Sequence, residues 1–185
     1  SAWSGNNPVA ADRVNGDYYV YGSKNGHFYR SQDGGKTWQT MNKRLPKRPK
    51  GWERPVAIWY NVEAVPGKAG HVVVSLRDQI LTTTDGGAAF KRVEGFESIR
   101  NAIAGPPMPG ESEPVLYVFG KLPNDYWGIY RAKEYFSTDS PKWERLTPAR
   151  NIGGTEGGRL MAADRQVPGR VYLENVDTTY VEPVN

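Results

Sequence analysis

The sequence predicts an all-β fold, a β-propeller of four-stranded antiparallel blades with about four blade modules in this chain. Three observations carry that expectation: a hairpin-turn motif repeated at even spacing, strand-forming segments between the repeats, and a composition rich in aromatic and turn residues. Aromatic residues make up 12% of the 185 residues, led by 11 Tyr and 6 Trp, while 21 Gly and 14 Pro supply turns. Such a mixture suits many short strands joined tightly and argues against helix bundles and disorder.

The first turn motif is Ser31-Gln32-Asp33-Gly34-Gly35-Lys36-Thr37-Trp38. Phe28, Tyr29 and Arg30 lead in as a strand, and Trp38, Gln39 and Thr40 lead out. Asp33 can accept hydrogen bonds from the turn's own amides, and Gly34 and Gly35 permit positive φ. Thr37 can close the turn with its hydroxyl, and Trp38 is placed to cover it. Ser31, Asp33, Gly35, Thr37 and Trp38 fill every position of the Asp-box, or BNR repeat. That motif lies on outer turns of propeller blades, so these residues read as structural.

Two echoes follow. Thr83-Thr84-Asp85-Gly86-Gly87-Ala88-Ala89-Phe90 keeps Thr83, Asp85, Gly87 and the aromatic Phe90, with Ala89 where Thr or Ser is usual. Ser137-Thr138-Asp139-Ser140-Pro141-Lys142-Trp143 is shorter and lacks glycines, but keeps Asp139 and Trp143. The aspartates recur at a spacing of roughly 50 residues, the length of a four-stranded blade.

Strand segments repeat in step: Tyr18–Tyr21, Val72–Ser75, Val115–Val118 and Val171–Glu174 each follow a Gly or Pro turn and are rich in β-branched and aromatic residues. Ahead of the first and last stand Ala10-Ala11-Asp12-Arg13 and Ala162-Ala163-Asp164-Arg165, whose Asp-Arg pairs read as caps of a blade's first hairpin. The chain, 1–185, therefore parses as a single propeller domain or partial propeller with modules at about 8–43, 57–95, 99–147 and 158–182. The last module ends without a box or fourth strand. Ser1 to Asn6, with Trp3, or a segment outside this chain could complete it. An open half-ring would expose strand edges, so the expected partners include the remainder of a larger propeller or a second copy.

Composition narrows the chemistry. There is no Cys, which removes disulfides and thiolate metal sites. No apolar run reaches bilayer-spanning length, so no membrane partner is expected. No signal peptide is visible at Ser1. The net charge of +4 is modest and no nucleic-acid partner is expected. Basic residues concentrate in Lys43-Arg44-Leu45-Pro46-Lys47-Arg48-Pro49-Lys50, which reads as a solvated loop or as a contact for anions or an acidic partner. His27 and His71 are the only histidines and show no ligand spacing, so neither metal nor cofactor is expected.

Aromatic side chains are the better binding candidates. Sugar rings lay their C–H faces on Trp or Tyr while polar neighbours bond the hydroxyls. Trp59-Tyr60-Asn61 and Asn124-Asp125-Tyr126-Trp127 set paired aromatics beside Asn or Asp, and Trp52 stands in the basic proline loop. Trp127, Trp59, Tyr126, Tyr60, Trp52 and Asp125 are thus the candidate sugar contacts, with packing between blades as the competing role. Neighbours in a strand point to opposite faces, so one of each pair at most lines a given surface. Among carboxylates, Asp33, Asp85 and Asp139 are assigned to turns, leaving Asp78, Glu63 and Asp125 as the least explained.

The succession Phe28–Trp38, Thr82–Val93, Leu116-Tyr117-Val118-Phe119-Gly120, Gly128-Ile129-Tyr130-Arg131 and Gly169-Arg170-Val171-Tyr172-Leu173 resembles the C-terminal propeller of glycoside hydrolase family 74, the xyloglucanases. The resemblance implies part of a seven-bladed ring, a secreted or periplasmic protein, and a polysaccharide or oligosaccharide ligand. It further implies an inverting endo-glucanase whose two catalytic aspartates fall outside the matched stretch, so the catalytic residues are unknown and catalysis needs residues outside this chain. Glu174-Asn175-Val176-Asp177 departs from the family's usual close. The alternative is a non-catalytic interaction propeller of the sortilin or assembly-factor kind, with Lys43–Lys50 meeting an acidic protein.

Overall fold

A computed structural model describes residues 8–47, 60–76, 78–148, 161–174 and 179–181. Four antiparallel sheets follow one another along the chain. The first contains β1 (Val9–Ala11), β2 (Tyr18–Gly22), β3 (His27–Ser31) and β4 (Gln39–Asn42), in that order. The second contains β5 (Tyr60–Ala64), β6 (Val72–Leu76), β7 (Gln79–Thr83) and β8 (Lys91–Arg92). The third contains β9 (Ser98–Gly105), β10 (Val115–Lys121), β11 (Gly128–Ala132) and β12 (Glu144–Arg145). Among the described residues the fourth has three strands, β13 (Met161–Ala163), β14 (Val171–Glu174) and β15 (Thr179–Val181). No helix occurs among the described residues. Ser1 to Asn6, Arg48 to Lys50, Trp52 and Trp59 lie outside the described residues.

Each sheet is an up-and-down meander, and the first strands of neighbouring sheets lie against each other, β1 on β5, β5 on β9 and β9 on β13. This is the radial stacking of propeller blades. Alternation along a strand then feeds two cores. On β6, Val72, Val74 and Leu76 join Tyr19, Tyr21 and Phe28 of the first sheet. Val73 points the other way and packs with Ala102, Leu116 and Val118 of the third. On β10, Leu116 and Val118 face the second sheet, while Tyr117 and Phe119 pack with Met161, Val171 and Leu173 of the fourth. Strands buried on both faces read as continuous apolar runs, as Val72–Leu76 does.

Polar ties register the sheets. Ser75 Oγ donates to the Ala102 carbonyl at 3.1 Å and accepts from its amide at 2.9 Å. The Gly70 amide donates to Asp12 Oδ2 at 2.8 Å, and Lys68 pairs with Glu113 at 2.8 Å. Asp12 and Asp164 also cap their hairpins, Asp12 by accepting from the Val14 amide and Asp164 from those of Gln166 and Val167.

The Asp33 turn closes on itself. Asp33 Oδ1 accepts from the Thr37 amide at 2.9 Å, Oδ2 from the Thr37 hydroxyl at 2.6 Å, and Ser31 Oγ accepts from the Gly35 amide at 2.8 Å. These bonds, the Thr37 hydroxyl first, lower the Asp33 carboxyl to about 2. Trp38 donates Nε1–H to the Gly35 carbonyl at 3.0 Å yet stays 42% exposed, covering one side of the turn only. In the Asp85 turn Ala89 has no hydroxyl to offer, and Asp85 accepts instead from the backbone amides of Ala88 and Ala89. Phe90 packs edge-on against Phe28 at 5.0 Å.

The third turn differs from its expectation. Asp139 makes no bond to its own turn's amides: its carboxylate is fully exposed and pairs with Lys91 across the sheet boundary at 3.2 Å. The glycines and the extra residue that fold an aspartate inward are missing there. Trp143 instead packs between Phe96 and Tyr135.

Glycine placement at the second turn provides a test of the stacking. A Cβ on Gly87, at φ +98°, would meet the Phe28 ring at 2.3 Å, whereas one on Gly34, at φ +74°, meets nothing within 4 Å. Gly87→Ala is expected to destabilise the fold by on the order of 3 kcal/mol, from backbone strain plus overpacking, and Gly34→Ala by about 1 kcal/mol from strain alone. Urea midpoints of the two variants measure the difference. Equal shifts would mean that the second turn is not seated on the first sheet.

Candidate functional site

Meander topology sorts the loops onto two ends. The β1–β2, β3–β4, β5–β6, β7–β8, β9–β10 and β11–β12 turns share one end, tied together by the Asp12–Gly70 and Lys68–Glu113 contacts. The β2–β3, β6–β7 and β10–β11 loops and the β8–β9 connection occupy the other. Asp125, Tyr126, Trp127 and the start of β5 at Tyr60 all fall at this second end.

The β10–β11 loop, Leu122 to Trp127, carries a hydrogen-bonded polar cluster at this end. Asp125 N–H donates to the Leu122 carbonyl at 3.1 Å across a turn with Pro123 and Asn124 at its corners. Asn124 has φ +60°, a left-handed conformation that Asn tolerates better than most residues. Arg145 on β12 fastens the loop from outside. Its Nη1 donates to Asp125 Oδ1 at 2.9 Å, the Tyr126 carbonyl at 2.9 Å and the Tyr130 hydroxyl at 2.6 Å. Its Nη2 reaches the Trp127 and Pro148 carbonyls, and Nε the Thr147 carbonyl.

Asp125 is held low, first by the Tyr130 hydroxyl at 2.7 Å and then, against the opposing effect of burial, by the Tyr126 amide and Arg145. Burial pushes the Tyr130 hydroxyl up to about 12, with Asp125 adding to the effect. Both carboxylate oxygens of Asp125 are thus engaged in holding the loop.

The two aromatics of this loop separate. Tyr126 is 55% exposed, on a backbone fixed by Arg145. Trp127 is buried, stacked on Phe119 at 5.3 Å, with Arg100 Cζ 5.6 Å from its ring centre. Trp127 therefore fills the space beside the fourth sheet, the packing role that competed with a sugar contact. Arg100 reaches it through a β-bulge. Phe119 pairs with Asn101 and Gly120 with Ile99, so Arg100 is the extra residue and its side chain is re-aimed. Tyr60 is half-buried against Tyr21, edge-on at 5.5 Å. Asp78 is exposed in the β6–β7 turn. Arg145, Arg100 and Tyr130 escape the sequence reading because strand register, not any local pattern, brings them to the loop.

Glu63 stands elsewhere, near the turn end of β5. Arg165, from the β13–β14 turn two sheets on, meets its Oε1 at 3.0 Å. Glu63 Oε2 is sealed from solvent with no hydrogen-bond partner among the described residues. Burial raises this carboxyl to about 7, with Arg165 and the Ala104 amide only partly opposing. A carboxyl that exchanges its proton near neutrality has one property of a general acid. Among the described residues no cluster of three His, Asp or Glu could hold a metal ion.

Comparison with known proteins bears on this arrangement. No family model matches the chain. The chain is 32% identical over 166 residues to the xyloglucanase Xgh74A of Acetivibrio thermocellus and 30% identical over 175 residues to a probable oligoxyloglucan-reducing end-specific xyloglucanase of Neosartorya fischeri. The chain is homologous to xyloglucanases. Each match covers 89% of this chain but only 18% and 19% of the relatives, so the chain spans under a fifth of their length. Its fold superposes on the GH74 enzyme of Niastella koreensis with TM-score 0.70 at 24% identity, covering 90% of this chain and 23% of that one. On the GH74 xyloglucanase of Xanthomonas campestris the TM-score is 0.66 at 18% identity, over 90% and 22% of the two chains. These likenesses establish the β-propeller fold of the chain.

The Glu63 carboxyl gives a pH test. Its folded value lies above its ordinary 4.5, so the folded state holds the proton more tightly than the unfolded state does. This site's contribution to stability is full below 4.5, falls as pH rises, and is lost above about 7. Glu63→Gln should flatten that slope in urea midpoints taken at about pH 5 and about pH 8. An identical slope in wild type and variant would show that Glu63 titrates normally.

Proposed function

We propose that this chain is a polysaccharide-binding portion of a larger β-propeller protein that hydrolyses xyloglucan-type β-glucan, with the catalytic groups outside the chain. The observation that carries the proposal is homology over 89% of its length to proteins named as xyloglucanases. In this reading the Asp33 and Asp85 turns are Asp-boxes, the modules at about 8–43, 57–95, 99–147 and 158–182 are blades or parts of blades, and the protein is secreted or periplasmic.

Geometry supports a particular contact. A sugar ring needs an aromatic face open to solvent, and Tyr126 offers one at 55% exposure. The Arg145 bonds to the Tyr126 carbonyl and to Asp125 order the loop in advance, so little freedom is lost on binding. Tyr60, half-buried against Tyr21 at the same end, is a further candidate contact. Asp125 acts by positioning Tyr126 and Trp127 by supporting the loop from beneath.

Titration with xyloglucan oligosaccharides, followed by calorimetry, tests the reading. Binding is expected, with Tyr126→Ala weakening it about tenfold, the worth of one aromatic platform. Absence of binding at millimolar sugar, or an unchanged affinity in Tyr126→Ala, would remove it.

A further inference from the structure

The third turn departs from the repeat, and its departure creates a cavity. The connection from Ala132 to Glu144 is longer than the one from Ser31 to Gln39 or from Thr83 to Lys91. Instead of folding its aspartate inward, it lays Tyr135 to Asp139 against β7 and the Asp85 turn. A groove of about 450 Å³ opens between the second and third sheets. It lies at the turn end, opposite the loop that carries Tyr126.

The lining has a definite character. Phe90, Tyr135 and Phe136 supply apolar wall, and Thr84, Ser137 and Thr138 supply hydroxyls. Tyr135 is buried, with its hydroxyl 3.2 Å from Thr82 Oγ1, and Phe136 is braced edge-on by Tyr135 and His71. The walls are therefore fixed. Thr84 is exposed, and its hydroxyl has no hydrogen-bond partner among the described residues. At the mouth, Lys91 and Asp139 form an ion pair whose carboxylate is fully open to water. Exposed pairs of this kind contribute little stability, so each member is available to a ligand. Together they present a donor and an acceptor side by side, a match to adjacent sugar hydroxyls. Groove volume falls in the range of small-molecule sites; Lys91 and Asp139 offset each other, and the remaining carboxylate of the lining, Asp85, is engaged by the amides of its own turn.

We propose that this groove is a second saccharide site, taking one or two neutral pyranose rings between Phe90 and Phe136, with Lys91, Asp139 and Thr84 bonding the hydroxyls. It goes beyond the Tyr126 surface and does not require that surface to bind.

Amide chemical-shift mapping of the full chain with cellobiose as probe tests it. Shifts are expected at Thr84, Ser137, Thr138 and Asp139, and they should persist in Tyr126→Ala. Asp139→Ala removes a solvent-exposed side chain and leaves the fold intact, yet should weaken the groove's affinity about tenfold, the worth of a charge-assisted hydrogen bond. Phe136→Leu should weaken it further while keeping the wall filled. Saturating cellobiose that leaves these amides unmoved, or an affinity unchanged in both variants, overturns the proposal. Loss of groove shifts in Tyr126→Ala would also overturn it, because the two surfaces would then be one site. Groove shifts without shifts at Tyr126 would uphold it independently of the Tyr126 reading, which the xyloglucan titration decides.

Discussion

Interior strands of this fold serve two cores at once, and most of the structure depends on that arrangement. An antiparallel sheet usually turns one face to water. Here Val72, Val74 and Leu76 of β6 close one core while Val73 closes the next, and β10 divides its side chains in the same way. Each buried Val, Leu or Phe contributes about 1.5–3 kcal/mol relative to exposure. A polar tie such as Ser75 to Ala102 contributes about 1 kcal/mol net. Apolar stacking therefore provides the stability, and the polar ties fix how one sheet is registered on the next.

The turns inherit their duties from this stacking. Gly87 lies against the Phe28 ring, so the second turn is part of the first core, and a side chain there has nowhere to go. At the equivalent Gly35 of the Asp33 turn an added Cβ would meet only the turn's own Trp38, at 3.7 Å, so that turn relies on its own hydrogen bonds. One motif thus serves in two settings, buried against a neighbour in the second sheet and self-supporting in the first.

Legibility in the sequence followed range along the chain. Asp33, Thr37 and Ser31 bond within four residues of one another, so a local pattern reports them fully. Strand alternation and even spacing reported the sheets for the same reason. Arg145 bonds Asp125 from 20 residues away and Arg165 reaches Glu63 from 102, separations that no local pattern marks. Trp127 shows the limit of alternation: period-2 reasoning says that Tyr126 and Trp127 point apart, but only the fourth sheet determines which of the two is covered. Asp139 failed in the opposite direction. Its sequence keeps the aspartate of the motif, but without the glycines the backbone does not turn its amides toward the carboxylate.

That last difference bears on how a repeated fold acquires distinct surfaces. A turn aspartate engaged by its own turn has less to offer anything else, as with Asp33, held by Ser31 and Thr37, and Asp85, held by Thr83, Ala88 and Ala89. Release of Asp139 from that duty leaves an exposed carboxylate at the boundary between two sheets, where it pairs with Lys91. At the opposite end the reverse occurs: Arg145 directs its donors to Asp125, Tyr130 and four backbone carbonyls, and the loop becomes rigid enough to present an exposed ring. In both places the available surface is set by which hydrogen bonds the fold has already consumed. The same accounting explains why neither Asp33 nor Asp125, both conspicuous in the sequence, offers an open carboxylate.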